Sequence, residues 1–147
     1  MTAAAAAAAG YSGTPLAQKL GLRDGQRVLF IALPADLRAL RRARQFAEMA
    51  EAGWESFAGG RPGYDIIHGF TASRQVLAAA IAALRAQLRV DGALWLSWPK
   101  KASKVPTDIT EDTIREIALP LGLVDIKVAA VSEIWSGLKL VIRKELR

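Results

Sequence analysis

Three short, nearly unbroken apolar runs constrain this chain more than any other feature: residues 27–32 (RVLFIA), 64–70 (YDIIHGF) and 93–98 (ALWLSW). Each has the length of a strand and little polar alternation, the pattern of a strand covered on both faces. Helical patterns separate them. From Ala35 to about Glu51 the apolar positions Leu37, Leu40, Ala43, Phe46 or Ala47, and Ala50 recur at helical spacing, with Arg38, Arg41 and Arg42 on an outer ridge and Gly53 as the stop. Ser73 caps an alanine-rich helix carrying Val76, Leu77, Ala80, Ile81, Leu84 and Leu88, and Asp91-Gly92 turns the chain into the next strand. Strand-helix-strand repeated twice, with buried strands, demands parallel pairing through right-handed crossovers. The fold class is α/β, with a mostly parallel sheet of five or six strands.

The remaining segments fill in around that frame. Thr14-Pro15 reads as a helix N-cap with proline at the first helical position, Gly21 closes that helix, and Asp24-Gly25 turns into the first strand. Residues 54–57 are a candidate short edge strand, and AGGRPG is a loop. After the third run comes a long basic loop, PKKASKVPTD. Asp108 or Thr110 caps the next helix, Glu111 and Asp112 occupy its first turn, and Gly122 ends it. The last segment, LVDIKVAAVSEIWSGLKLVIRK, reads as two strands about a turn at Ser136-Gly137, a terminal antiparallel hairpin.

Composition sets outer bounds. The 147 residues are 52% apolar, enough for one folded domain over residues 11–147, preceded by an alanine-rich tail, residues 1–10, expected to be disordered. With no Cys and one His, disulfide scaffolds and cysteine-based zinc or redox sites are excluded. The tail lacks a basic start and large apolar residues, so no secretory signal is expected, and no stretch reaches the ~18 apolar residues of a membrane span. The expected location is cytoplasmic. Of the 20 Lys and Arg behind the net charge of +6, seven sit in two short stretches: Arg38, Arg41, Arg42 and Arg44, then Lys100, Lys101 and Lys104.

The run from Tyr64 onward, a YDII strand, a long helix, a DGALWLSW strand, another helix and a final hairpin, resembles the second half of a class I methyltransferase-like Rossmann domain. The resemblance implies a reduced three-layer sandwich in which the 64–70 strand lies beside the 93–98 strand and the last strand inserts between the third and the fourth. YSGTPLAQKLG, SWPKKASKVPTDITED and KVAAVSEIWSGLKLVIRK are in turn similar to a family of short bacterial proteins of unknown function, which supports the architecture and brings no activity with it. A class I enzyme places glycines just after its first strand, where the backbone approaches S-adenosylmethionine without an intervening Cβ. Here that place reads ALPADLRAL, with no Gly between Ile31 and Gly53, and Pro34 removes a backbone N–H. The acid that would hold the ribose has only Glu55 as a counterpart.

Open parallel sheets bind ligands outside the carboxyl ends of their strands. A helix preceding the first strand runs antiparallel to it, which directs Tyr11, Ser12, Gly13 and Thr14 to that edge. Trp98, Lys100 and Lys101 follow a strand end there, and Trp135, Ser136 and Gly137 join them. The chemistry is coherent: hydroxyls on Ser12, Thr14, Ser103 and Thr107, cations on Lys100, Lys101 and Lys104, small Gly13 and Gly137, flat faces on Trp98 and Trp135. Each motif also has a plain structural reading: SGTP as a cap, PKKASK as a solvated loop, the tryptophans as packing, WSG as a turn. His68 reads as a hydrogen-bonded core residue rather than a base, and neither GxSxG nor a Walker motif is present. Asp108, Glu111 and Asp112 read as cap and dipole complement rather than a metal site. The resulting expectation is a non-catalytic module for an anionic small molecule or nucleotide, with no cofactor, no metal and no membrane partner. The alternatives are a divergent S-adenosylmethionine-dependent methyltransferase, and nucleic-acid or protein binding through Arg38, Arg41, Arg42 and Arg44, although Glu48 and Glu51 follow a turn later.

Overall fold

In the computed structural model, which describes residues 15–147, the three apolar runs lie side by side in one six-stranded sheet. Its strands are β1 (Arg27–Ile31), β2 (Glu48–Ala52), β3 (Tyr64–Phe70), β4 (Leu88–Pro99), β5 (Leu123–Ala130) and β6 (Trp135–Ile142), in the order β2-β1-β3-β4-β6-β5. The first four pair in parallel, and β6 runs antiparallel to both β4 and β5. The last strand therefore sits between the third apolar run and the strand that precedes it in sequence, as the methyltransferase-like resemblance implies.

Strand alternation sorts the core into two layers. Leu29, Ile31, Ile67, Leu94, Leu96 and Leu138 face α2 (Arg74–Gln87) and α3 (Glu111–Ala118), which supply Leu77, Ile81, Leu84 and Ile114. Val28, Phe30, Ile66, Phe70 and Trp95 face the opposite way, against Leu20 after α1 (Leu16–Lys19) and against Leu37 and Leu40 of a 3-10 helix, Ala35–Arg42. Helix, sheet, helix is a three-layer sandwich, and each fully buried large aliphatic side chain in it contributes roughly 1.5–3 kcal/mol. No helix among the described residues is long and apolar enough to cross a membrane.

Three sequence expectations are corrected. The helix expected from Ala35 to Glu51 is a 3-10 helix that stops at Arg42, after which the chain forms β2. Leu37 and Leu40, spaced by three, suit the 3-10 repeat, and nothing beyond them prolongs it. Tertiary pairing then overrides the helix-favouring composition of EMAEA, because β1 needs a partner for its outer backbone groups. Arg27 Nε donates to Glu48 Oε1 at 2.8 Å and fixes the start of that pairing. Residues 54–57 are turn and the start of a 3-10 turn rather than a strand, since the edge position is already taken by β2. The hairpin turns at residues 131–134, where Ser132 Oγ accepts the N–H groups of Ile134 and Trp135, and not at Ser136-Gly137. Gly137 instead lies inside β6, where a Cβ would come within 2.9 Å of Val131 Cγ2, 3.1 Å of the Trp95 ring and 3.2 Å of Ser97 Oγ. It is glycine for close approach, not for turning.

A candidate ligand cleft at the carboxyl edge

Backbone pairing brings two of the predicted segments together. Trp98 lies opposite Ser136, Pro99 opposite Trp135, and the Lys100 N–H donates to Ile134 O at 2.7 Å. Tyr11, Ser12, Gly13 and Thr14 lie outside the described residues, as does the 1–10 tail. The helix they lead into does reach this region: Lys19 Nζ donates to Ala130 O at 3.3 Å, and Leu16 and Trp135 pack against one cluster. The two tryptophans diverge, however. Trp98 and Trp135 belong to adjacent cross-strand pairs, and the pleat sends adjacent pairs to opposite faces. Trp98 is buried among the α2 and α3 side chains, while Trp135 meets Phe70 edge-on at 5.3 Å on the other face. They do not form one stacking platform.

Most of the hydroxyls have backbone partners. Ser103 Oγ donates to Lys100 O at 2.6 Å and accepts from Val105 N, which closes the turn ahead of Lys104, itself left-handed at φ 62°. Thr107 Oγ1 donates to Ala72 O at 2.8 Å and accepts from Ile109 N, tying the basic loop to the segment after β3. Thr110 is the N-cap of α3, its hydroxyl accepting from Thr113 N, whereas Asp108 accepts from the Arg74 N–H and so completes the start of α2. Of the two cap candidates, Thr110 therefore caps its own helix and Asp108 a different one.

Between β4 and α3 these segments enclose a cleft of about 590 Å3, lined by Trp98, Lys101, Thr107, Thr110, Glu111 and Arg115 among others. Arg115 donates to Asp125, Asp112 and Glu111 at 3.0–3.1 Å, and hydrogen bonding to Asp125 leads the causes that hold its pKa above the ordinary value. All three carboxylates thus share the one Arg115 guanidinium. Lys101 and Lys104 are exposed and have no side-chain hydrogen bond or ion pair among the described residues, so they are the rim's cations open to a ligand.

His68 is a core residue: 1% exposed, stacked on Phe70 at 4.2 Å, its Nε2 2.7 Å from Ser97 Oγ. Burial lowers its pKa to about 3, which keeps it neutral and out of reach of any ligand. The arginine ridge also breaks up. Arg41 pairs with Glu51 at 3.1 Å, and Arg44 turns inward to donate to Leu22 O and Ala43 O, which leaves Arg38 and Arg42 exposed.

The sheet's switch point lies between β1 and β3, where the order of connection reverses. After β1 come Ala32, exposed and left-handed at φ 57°, then Leu33 and Pro34. Over the end of β3 lies Trp54, whose indole N–H donates to Phe70 O at 2.8 Å and whose ring would meet a Cβ on Gly69 at 2.7 Å. Glu51, near the end of β2, was hidden from sequence reading by the helix assigned there. The signal was its place two residues before Gly53 in a segment that had to flank β1.

No protein-family model and no curated protein matches the chain. Its fold is nevertheless that of class I S-adenosylmethionine (SAM)-dependent methyltransferases. It is similar to a SAM-dependent methyltransferase from Aquifex aeolicus, with a TM-score of 0.64 and 15% identity over 85% of this chain and 86% of that one. A TehB-like SAM-dependent methyltransferase from Corynebacterium glutamicum superposes with a TM-score of 0.57 and 13% identity over 95% and 94% of the two chains. Magnesium protoporphyrin IX methyltransferase from Synechocystis, with bound SAH, gives 0.56 and 14% over 82% and 75%. At these identities the likeness is one of fold.

The residues at the switch point do not fit SAM as such enzymes hold it. Ala32 keeps a glycine-like backbone but adds a Cβ, Pro34 has no N–H to offer, and the Glu51 carboxylate is engaged by Arg41.

Proposed function

We propose that this chain binds a small molecule bearing an anionic group at the carboxyl edge of its sheet and performs no chemistry on it. The reading rests on one observation: the cleft beside Trp98 pairs every acid on its α3 wall with Arg115 and leaves Lys101 without a partner among the described residues. An unpaired ammonium at the mouth of a concave site, next to a capped helix start, favours an oxyanion on the ligand. The ligand's uncharged part lies against Pro99 and the edge of Trp98.

A panel of nucleotides and phosphorylated metabolites, read by calorimetry and native mass spectrometry, tests this. Lys101→Ala combined with Lys104→Ala is expected to weaken the best binder at least about tenfold, the loss of roughly 1.5–3 kcal/mol from charge-assisted hydrogen bonding. Unchanged affinity in the double variant would remove the assignment.

The structural neighbours favour a second reading, a divergent SAM-dependent methyltransferase, over a module with no link to that chemistry. What opposes it is the absence of a glycine cradle after β1 and the Trp54 indole over the end of β3. Calorimetry with SAH separates the two. We expect no heat at millimolar SAH, and a saturable isotherm would replace the first reading with the second.

A further inference from the structure

Midway along β6, opposite Trp95 of β4, Lys139 lies directly across from Lys127 of β5 and lines a cleft that opens toward the amino edge of the sheet. Like charges facing each other on paired strands are destabilising, so such a pair calls for an anion nearby. The side chain of Lys139 is half-buried, and its electrostatic neighbours are Lys127 and Arg23, both cations. Lys127 has a backbone partner, donating to Lys19 O at 2.9 Å. Neither the Lys139 ammonium nor the Arg23 guanidinium has a hydrogen-bond or ion-pair partner among the described residues.

Arg23 and Lys139 line one cleft of about 510 Å3. Its acids are engaged elsewhere. Asp65 accepts the Arg27 N–H and meets Arg89, Asp91 pairs with Arg89 at 2.8 Å, and Asp24 accepts the Gln45 N–H. Arg89 is thereby engaged by two acids, which leaves Arg23 and Lys139 as the cations of this cleft without a side-chain partner among the described residues. Gly21 lines the cleft beside the ammonium, and its φ of +73° is the left-handed region that favours glycine.

We propose that this amino-edge cleft is a second binding site, specific for a phosphate-class oxyanion, with Arg23 and Lys139 as its direct ligands and Lys127 as a supporting charge. Two unpartnered cationic donors suit an oxyanion, and the planar guanidinium fork of Arg23 suits two phosphate oxygens at once. A volume of about 510 Å3 exceeds what phosphate alone fills, so the group is carried by a small phosphorylated molecule. The concavity favours that source over the backbone of a nucleic acid, which a convex ridge would meet. The site is independent of the carboxyl-edge reading, since it shares no residue with it.

The test uses the full chain, with inorganic phosphate and pyrophosphate as probes and chloride at matched ionic strength as the control. Both probes are expected to raise the melting temperature of the parent protein. Arg23→Gln and Lys139→Met should each weaken pyrophosphate at least about tenfold, as expected for losing a charge-assisted contact. In phosphate-free buffer Lys139→Met should melt no lower than the parent, because it removes a repulsion, whereas a purely structural lysine would lower it. Affinity should also fall at alkaline pH as Lys139 deprotonates, earlier than an ordinary lysine would, because burial and then Lys127 and Arg23 lower its pKa. Equal stabilisation of parent and Arg23→Gln by pyrophosphate would overturn the proposal. So would a salt-dependent shift with duplex DNA and no response to either probe, which would mark the patch as a nucleic-acid contact. Arg23 is exposed, so its variant keeps the test decisive even if Lys139→Met fails to fold.

Discussion

Trp95→Ala is expected to cost about 3–5 kcal/mol, much of the roughly 5–15 kcal/mol that holds a domain of this size together. Trp95 is 0% exposed in the middle of β4, and its indole N–H donates to Leu20 O at 3.0 Å, the carbonyl at the end of α1. One side chain therefore anchors the first helix to the sheet across 75 residues of sequence. Truncation leaves a cavity under α1 that backbone relaxation closes only in part, and it strands the Leu20 carbonyl without its donor. Trp95→Phe separates the two terms, keeping most of the apolar volume and losing the hydrogen bond, and should cost about 1–3 kcal/mol. Chemical denaturation of the three proteins checks this. A Trp95→Ala midpoint close to that of the parent would mean that α1 does not depend on the anchor.

The parallel core was legible because burial on both faces leaves an unmistakable mark: RVLFIA, YDIIHGF and ALWLSW have almost no polar phase, and all three are central strands. The edge was not. β2 is one of the sheet's two edge strands and reads EMAEA, with Ala50 and Ala52 on one face and Met49 on the other. Such a sequence is as content in a helix, and the need that makes it a strand belongs to β1. Gly137 misled for a related reason. In a sequence a Ser-Gly pair signals a turn, but the demand here is for space beside Trp95 and Ser97, which becomes visible only when β4 and β6 are paired.

The candidate site was legible as backbone placement and much less so as side-chain chemistry. Topology alone predicts that strand ends and their loops share an edge, and the Lys100 N–H bond to Ile134 O realises that for two distant segments. Which way a side chain points depends on register, and a difference of one residue separates Trp98 from Trp135 by the thickness of the sheet. The hydroxyls of Ser103 and Thr107 likewise go first to nearby backbone groups, the common fate of such residues in loops. Lys101 and Lys104 escape this because a long cationic side chain has no local backbone acceptor it must satisfy. They are the part of the sequence reading that the proposed ligand contact retains.

Acidification should destabilise the protein through His68 well before most carboxylates titrate. In the native state burial lowers its pKa to about 3, against 6.5 for an ordinary histidine, so from pH 6.5 down to about 3 the unfolded chain binds a proton that the folded one does not. The stabilisation is complete above pH 6.5, falls as the pH drops, and levels off below about 3. The slope approaches 1.4 kcal/mol per pH unit and the whole effect on the order of 5 kcal/mol. Among the described residues nothing compensates the imidazolium: Phe70 is stacked at 4.2 Å, Trp95 lies at 6.1 Å, and the polar contact is Ser97 Oγ at 2.7 Å. Glu48, held below its usual pKa chiefly by its hydrogen bond to Arg27, adds a loss of the same sign at lower pH, and its exposure keeps that part small. His68→Gln isolates the histidine, because an amide still reaches Ser97 but does not titrate. Urea denaturation between pH 7 and 3.5 should show the parent losing several kcal/mol relative to the variant, with the gap opening below pH 6.5. Parallel curves for the two proteins would mean that the ring takes up its proton without unfolding, through a movement that opens the β3–β4 pairing to water.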